Sequence, residues 1–136
     1  MKKILTLCLF LGICISMVAC SSGEYASASG TVPEFFGKIY LDIQTDSMYP
    51  TFDAGDTIIC EEVNPSALKS GDIITYWTVI DGERVLNTHR IVEIYDGGGY
   101  LIFVTKGDNN TVEDALTVHE SEVVGKYARK AFLGLF

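Results

Sequence analysis

In residues 38–45 the apolar side chains fall at Ile39, Leu41 and Ile43, the period of two that marks a half-buried strand. Residues 57–63 are apolar and β-branched as far as Cys60, then acidic at Glu61 and Glu62. Turn chemistry follows at Asn64-Pro65-Ser66 and Gly71-Asp72. The strongest strand signal is 72–80, with Ile73, Ile74, Tyr76, Trp77 and Val79. Asp81-Gly82 is a two-residue hairpin signal, and 84–95 is its returning strand. Asp96 and the glycines 97–99 turn the chain into a strand over 100–105, and 123–132 is the last alternating run. No long amphipathic helix is readable. Five to seven short strands with closely spaced turns predict a mainly β domain, a small closed or partly closed barrel.

The N-terminus follows a different pattern. Lys2 and Lys3 precede an apolar run over 4–19, broken only by Thr6, Gly12 and Ser16. A basic start and an apolar run of sixteen residues read as a secretion signal, since a spanning helix needs about 20. Met17-Val18-Ala19-Cys20-Ser21-Ser22-Gly23 resembles a bacterial lipoprotein box, with Met17 where leucine is usual. That resemblance makes Cys20 the lipidated first residue of the mature chain. The alternative is an uncleaved signal anchor with Cys20 an ordinary thiol. Either way the domain sits outside the cytoplasmic membrane and is tethered to it. Residues 21–34 are small and polar, a flexible linker, and a single domain is expected over 35–136. It opens on Phe35 and Phe36, a pair suited to the core or to a lipid surface. The final apolar stretch, 131–136, is too short to span a membrane.

Charge and cysteines narrow the function. The net charge is −8, and without Lys2 and Lys3 it becomes −10, 8 basic residues against 18 acidic. Nucleic acid as a partner is excluded on that balance, and polybasic attraction to anionic lipid is missing too. Cys8 and Cys14 lie in the apolar segment, which leaves Cys20 and Cys60; with Cys20 acylated, Cys60 is expected to be alone and buried in the run 57–60. The spacing offers no metal-ligand cluster, and no cofactor is called for.

The candidate chemistry lies at strand ends. Ser47 stands on a turn before Met48-Tyr49-Pro50, and His89 sits inside the β-branched run Thr88-His89-Arg90-Ile91-Val92. Asp108 lies in a turn after another such run, and Asp114 follows six residues on. Alone, a serine before such a turn is ordinarily solvated, and a strand histidine is ordinarily satisfied by a carbonyl. Together they are the parts that activate a hydroxyl: an imidazole to take its proton, and a carboxylate to orient the imidazole. His119, in a mostly polar run, has no such context and is expected at the surface.

Four blocks carry a resemblance to a known family: Ser47-Met48-Tyr49-Pro50-Thr51 with Gly55-Asp56, Gly71-Asp72-Ile73-Ile74-Thr75-Tyr76, Thr88-His89-Arg90-Ile91-Val92, and Thr105-Lys106-Gly107-Asp108-Asn109-Asn110 with Asp114. In this order and spacing, residues 40–127 resemble a type I signal peptidase. A histidine stands where the larger bacterial branch has its lysine base, so the similarity is to the endoplasmic-reticulum-like (SipW-type) branch. The resemblance implies Ser47 as nucleophile, His89 as base, and Asp108 and Asp114 as the family's two acids, one orienting the imidazole and the other holding the turn. It also implies Thr45 and the Ser47 backbone N–H as oxyanion donors. The implied substrates are signal peptides of exported preproteins with small residues before the cut, pairing along a strand edge at 38–46. Asp46 departs from the pattern, which favours a small residue there. It leaves a second reading open, a lipoprotein of this fold with a degenerate site that binds exported peptides. A self-cleaving peptidase of the wider superfamily would need a lysine base and a DNA-binding part, and neither is visible.

Overall fold

The computed structural model describes residues 34–132. The signal segment, Cys20, most of the linker and residues 133–136 lie outside that range. Among the described residues eight strands form a single sheet: β1 (Glu34–Phe35), β2 (Lys38–Asp42), β3 (Thr57–Glu61), β4 (Ile73–Ile80), β5 (Glu83–Asp96), β6 (Leu101–Lys106), β7 (Val118–His119) and β8 (Val123–Lys130). Their order is β1-β2-β3-β8-β4-β5-β6-β7, and every pairing is antiparallel. The sheet curls until β7, at one end of the order, packs back against β4. The mainly β, partly closed barrel expected from the sequence is therefore the fold.

The hairpins follow the turn residues. Asp81 and Gly82 both adopt positive φ, 53° and 81°, and join β4 to β5 as a tight two-residue turn. Phe36-Gly37 makes the same kind of turn between β1 and β2, with Phe36 at φ 53° and its ring 88% exposed. That ring is therefore not a core side chain.

Two apolar clusters fill the curl. One holds Ile39, Met48, Phe52, Ile58, Cys60 and Ile73. The other holds Leu68, Ile74, Tyr76, Ile91, Phe103 and Val118. β4 serves both, because successive strand residues point to opposite faces: Ile73 goes to the first cluster, Ile74 and Tyr76 to the second. This double burial explains why the adjacent Ile73 and Ile74 are both apolar where a half-buried strand would alternate.

β2 ends earlier than its apolar pattern predicts. Beyond Asp42 the ladder gives way to two local bonds: the Ile43 N–H donates to Asp56 O and Gly55 N–H donates to Ile43 O. The loop over 43–56 is thereby clamped, and its position depends on these bonds instead of on a ladder.

Candidate active site

The turn that carries Ser47 is held by its own backbone. Tyr49 N–H donates to Asp46 O, and Thr51 N–H to Met48 O. Met48 and Phe52 are both buried in the first cluster. They anchor the turn while Ser47 stays half-buried at its rim. Asp46, the residue that departs from the family pattern, directs its carboxylate away to accept from Ala54 N–H at 2.9 Å. It therefore pins the loop and adds no hydrogen bond to the serine or the histidine.

A second loop, after β6, locks against this turn. Asn109 N–H donates to Ser47 O at 2.9 Å, and its side-chain amide donates to Asp46 O. At Gly107 a Cβ would lie 2.5 Å from Ser47 O, so only glycine allows the two loops this approach.

Register places the rest on one face. In antiparallel pairs, opposed residues share a face. His89 opposes Ile74, Asn87 opposes Tyr76, and Thr105 opposes Ile91. His89, Asn87, Tyr76 and Thr105 therefore all project from the same side of β4, β5 and β6. Asp114 is brought to them by its own N–H, which donates to Thr105 O at 2.8 Å.

The result is a continuous relay. His89 Nε2 lies 3.0 Å from Ser47 Oγ, and His89 Nδ1 lies 2.7 Å from Asp114 Oδ2. A carboxylate only accepts, so Nδ1 carries the hydrogen. The neutral imidazole then presents the Nε2 lone pair to the Ser47 hydroxyl. His89 is only 5% exposed. Burial, the largest influence on Asp114, works against its charge. The hydrogen bonds from His89 and Thr105, with the nearby imidazole and Tyr76, outweigh it and hold the carboxyl below its ordinary value. Thr45 Oγ1 lies 3.1 Å from Ser47 Oγ.

Of the two acids, Asp114 meets the imidazole. Asp108 has both oxygens engaged elsewhere: Arg90 Nε and Nη2 grip them at 2.7 and 2.6 Å, and Thr51 Oγ1 donates to the second. Arg90 Nη1 also donates to Gly71 O. The Arg90 hydrogen bonds are the main reason that the Asp108 carboxyl is held below the usual range. Asp108 thus ties the loop after β6 to β5 and to the serine turn.

The Asp108→Ala variant is expected to lose about 2 kcal/mol of stability. Hydrogen bonds to charged groups contribute about 1.5–3 kcal/mol each, and water at the half-open Arg90 end returns part of that loss. Because folding lowers the Asp108 pKa, its contribution is complete above about pH 4, the ordinary aspartate value. It fades as pH falls through the folded value. Urea midpoints should therefore converge for wild type and Asp108→Ala below that range.

Cys60 is fully buried, its thiol pushed up by burial and in contact with Thr75 Oγ1 at 3.3 Å. His119 is exposed, stacks on Tyr100 and accepts from Ser121 N–H. The sequence reading missed Tyr76, Asn87 and Thr105 beneath Asp114, and Arg90 on Asp108. The hint was their place in the family blocks, Tyr76 in the second, Arg90 in the third and Thr105 in the fourth; Asn87 lies just before the third. Among the described residues, every buried side-chain nitrogen and oxygen has a hydrogen-bond partner.

A half-barrel whose cleft holds serine, histidine and aspartate in hydrogen-bond sequence has the parts that activate a hydroxyl. The chain is 36% identical to signal peptidase I W of Bacillus subtilis over 101 residues, 74% of this chain and 52% of that protein. It is 32% identical over 88 residues to the signal peptidase complex catalytic subunit SEC11 of Scheffersomyces stipitis, 65% of this chain and 46% of that one. Over 73 residues it is 29% identical to the SEC11C subunit of Homo sapiens, 53% and 37% of the two chains. No protein-family model matches the chain. It is a homologue of the endoplasmic-reticulum-like, SipW-type signal peptidases. The chain spans about half the length, or less, of these curated relatives.

Proposed function

We propose that the chain is a membrane-tethered serine endopeptidase that removes signal peptides from exported preproteins, working on the extracytoplasmic face. The observation that carries this reading is the Ser47–His89–Asp114 relay, at 3.0 and 2.7 Å, in a homologue of signal peptidases. Ser47 Oγ attacks the scissile carbonyl while His89 Nε2 takes its proton. His89 returns that proton to the leaving amine, and water then hydrolyses the acyl-enzyme with His89 again as base. Thr45 Oγ1 and the Ser47 backbone N–H are the proposed oxyanion donors. Asp108 acts through the loop it holds.

The substrate reading rests on the cleft. It is a trough of about 180 Å³ lined by Leu41, Ile43, Phe52, Ile80 and Leu86 beside Ser47. Along β2 only Lys38 and Ile39 pair with β1, which leaves the edge beyond them open to an extended peptide. Attachment is assigned to the N-terminal segment, by Cys20 lipidation or an uncleaved anchor. Among the described residues no helix is long and apolar enough to cross a membrane.

The test is cleavage by the full chain in membranes of a preprotein with an Ala-x-Ala signal sequence. Processing after the small residue supports the proposal. A folded, membrane-bound protein that leaves the preprotein intact points instead to a peptide-binding lipoprotein. Cleavage should also fall as pH drops through the histidine range. Asp114, held below the usual carboxylate value, stays ionised across that window, so the acid limb belongs to the imidazole. A flat profile down to about pH 5 counts against His89 as base.

A further inference from the structure

The buried hydroxyl of Tyr76 is unused by the mechanism above, yet it lies one hydrogen bond from it. The Tyr76 ring is 1% exposed. Its oxygen lies 3.0 Å from Asn87 Nδ2, 2.9 Å from Asp114 Oδ2 and 2.9 Å from Thr105 Oγ1. Thr105 Oγ1 in turn donates to Asp114 Oδ2 at 2.6 Å. The amide N–H of Asn87 only donates, so the Tyr76 oxygen accepts from it, and the phenolic hydrogen is free for the carboxylate. The oxygen that binds His89 therefore also receives Tyr76 and Thr105.

From this convergence we infer that Tyr76 is a positioning residue, which sets the orientation and effective charge of Asp114 and thereby the basicity of His89. The inference rests on the proposed Ser47–His89–Asp114 reading. A carboxylate oxygen that shares its charge among three donors holds an imidazolium less tightly than one with two. It is also fixed in space, because the donors come from three strands, β4, β5 and β6.

Other charges face His89 as well. Asp108 lies in the same loop as Asp114, and its negative charge is already matched by Arg90 of β5. Asp46, on the serine turn, has its carboxylate turned to Ala54. None of these touches the phenol, so removing its hydroxyl changes the Asp114 contact and leaves them in place. Burial pushes the Tyr76 phenol upward, with Asp114 adding to the effect, so Tyr76 remains a neutral donor wherever the enzyme works.

The experiment compares wild type with Tyr76→Phe in two readouts, kcat/KM against pH and the NMR titration of the His89 ring. The ring of phenylalanine keeps the core packing. With one donor gone, the His89 titration should move upward, and the acid limb of kcat/KM should move with it. At neutral pH kcat should fall several-fold with KM little changed. A purely structural Tyr76 would leave the titration where it was, and that result overturns the inference. The titration needs no catalysis, so an inactive wild type sinks the peptidase reading without deciding the Tyr76 question. If Tyr76→Phe does not fold, Thr105→Val removes the other hydroxyl donor to the same Asp114 oxygen while keeping the side chain's shape, and Asn87, which also lies 3.3 Å from His89 Nδ1, is left in place. It should shift the His89 titration upward too, and no shift there overturns the inference as well.

Discussion

Ser47→Ala and His89→Ala are each expected to lower kcat by about 10⁴- to 10⁶-fold, and the double variant should be no worse than either alone. In the proposed mechanism the two groups act as one unit. Without His89, the Ser47 hydroxyl keeps its proton at neutral pH and attacks weakly. Without Ser47, the imidazole has nothing to activate. The 3.0 Å contact between them is the physical basis of that non-additivity. KM should change little, because the apolar trough and the open edge of β2 are untouched. Preprotein cleavage under single-turnover conditions measures each rate. Losses that simply multiply in the double variant would mean that the two residues contribute separately and that the relay is not the catalytic unit.

Asp114→Ala is expected to lower kcat by about 10⁴-fold, and Asp114→Asn by about 10². The order follows from the donors around Oδ2. Alanine removes both the charge that stabilises the imidazolium and the acceptor that keeps the hydrogen on Nδ1. Asparagine removes only the charge. Asn87 already occupies the Tyr76 oxygen, so the phenol offers a hydrogen and favours the amide oxygen at the Oδ2 position. With oxygen there, Nδ1 keeps its hydrogen and Nε2 still faces Ser47. If Asp114→Asn were as damaging as Asp114→Ala, the amide nitrogen would be the atom facing His89, and the donor arrangement drawn from Tyr76 would be wrong. Comparison of kcat for the two variants measures this.

Much of the fold was legible because local rules and tertiary structure agree along most of the chain. The Asp81-Gly82 turn, the strands around it and the run leading into Lys106 all follow from periodicity and turn chemistry. The strand order was not legible. β8 enters between β3 and β4, a non-local pairing to which no local signal points. β7 was hidden for a related reason: Val118 and His119 form two bridges within a polar stretch, and only contact with β6 makes them a strand. β2 was overread because Ile43 continues the apolar alternation, while its backbone is claimed by Asp56 and Gly55.

The site divides in the same way. Ser47, His89, Asp108 and Asp114 were marked by the four blocks, and the structure brings three of them into one hydrogen-bonded line. Which acid meets the imidazole depends on the path of the chain between Lys106 and Asp114, and sequence does not encode that path locally. Tyr76 was legible as a strand aromatic. Its hydroxyl chemistry appears only when β4 and β5 are set in register, Tyr76 opposite Asn87. Asp46 looked like a threat to the cleft from its place beside the serine. The Ala54 N–H, eight residues on, explains its presence.

The most direct measurement of the central claim is labelling with a peptidyl phosphonate ester that ends in Ala-x-Ala, followed by mass mapping of the adduct. Such a reagent modifies an activated serine irreversibly. The account predicts a single adduct on Ser47, lost when His89 is replaced by alanine. An adduct on another residue, Cys60 included, or one that forms as fast without His89, would contradict it.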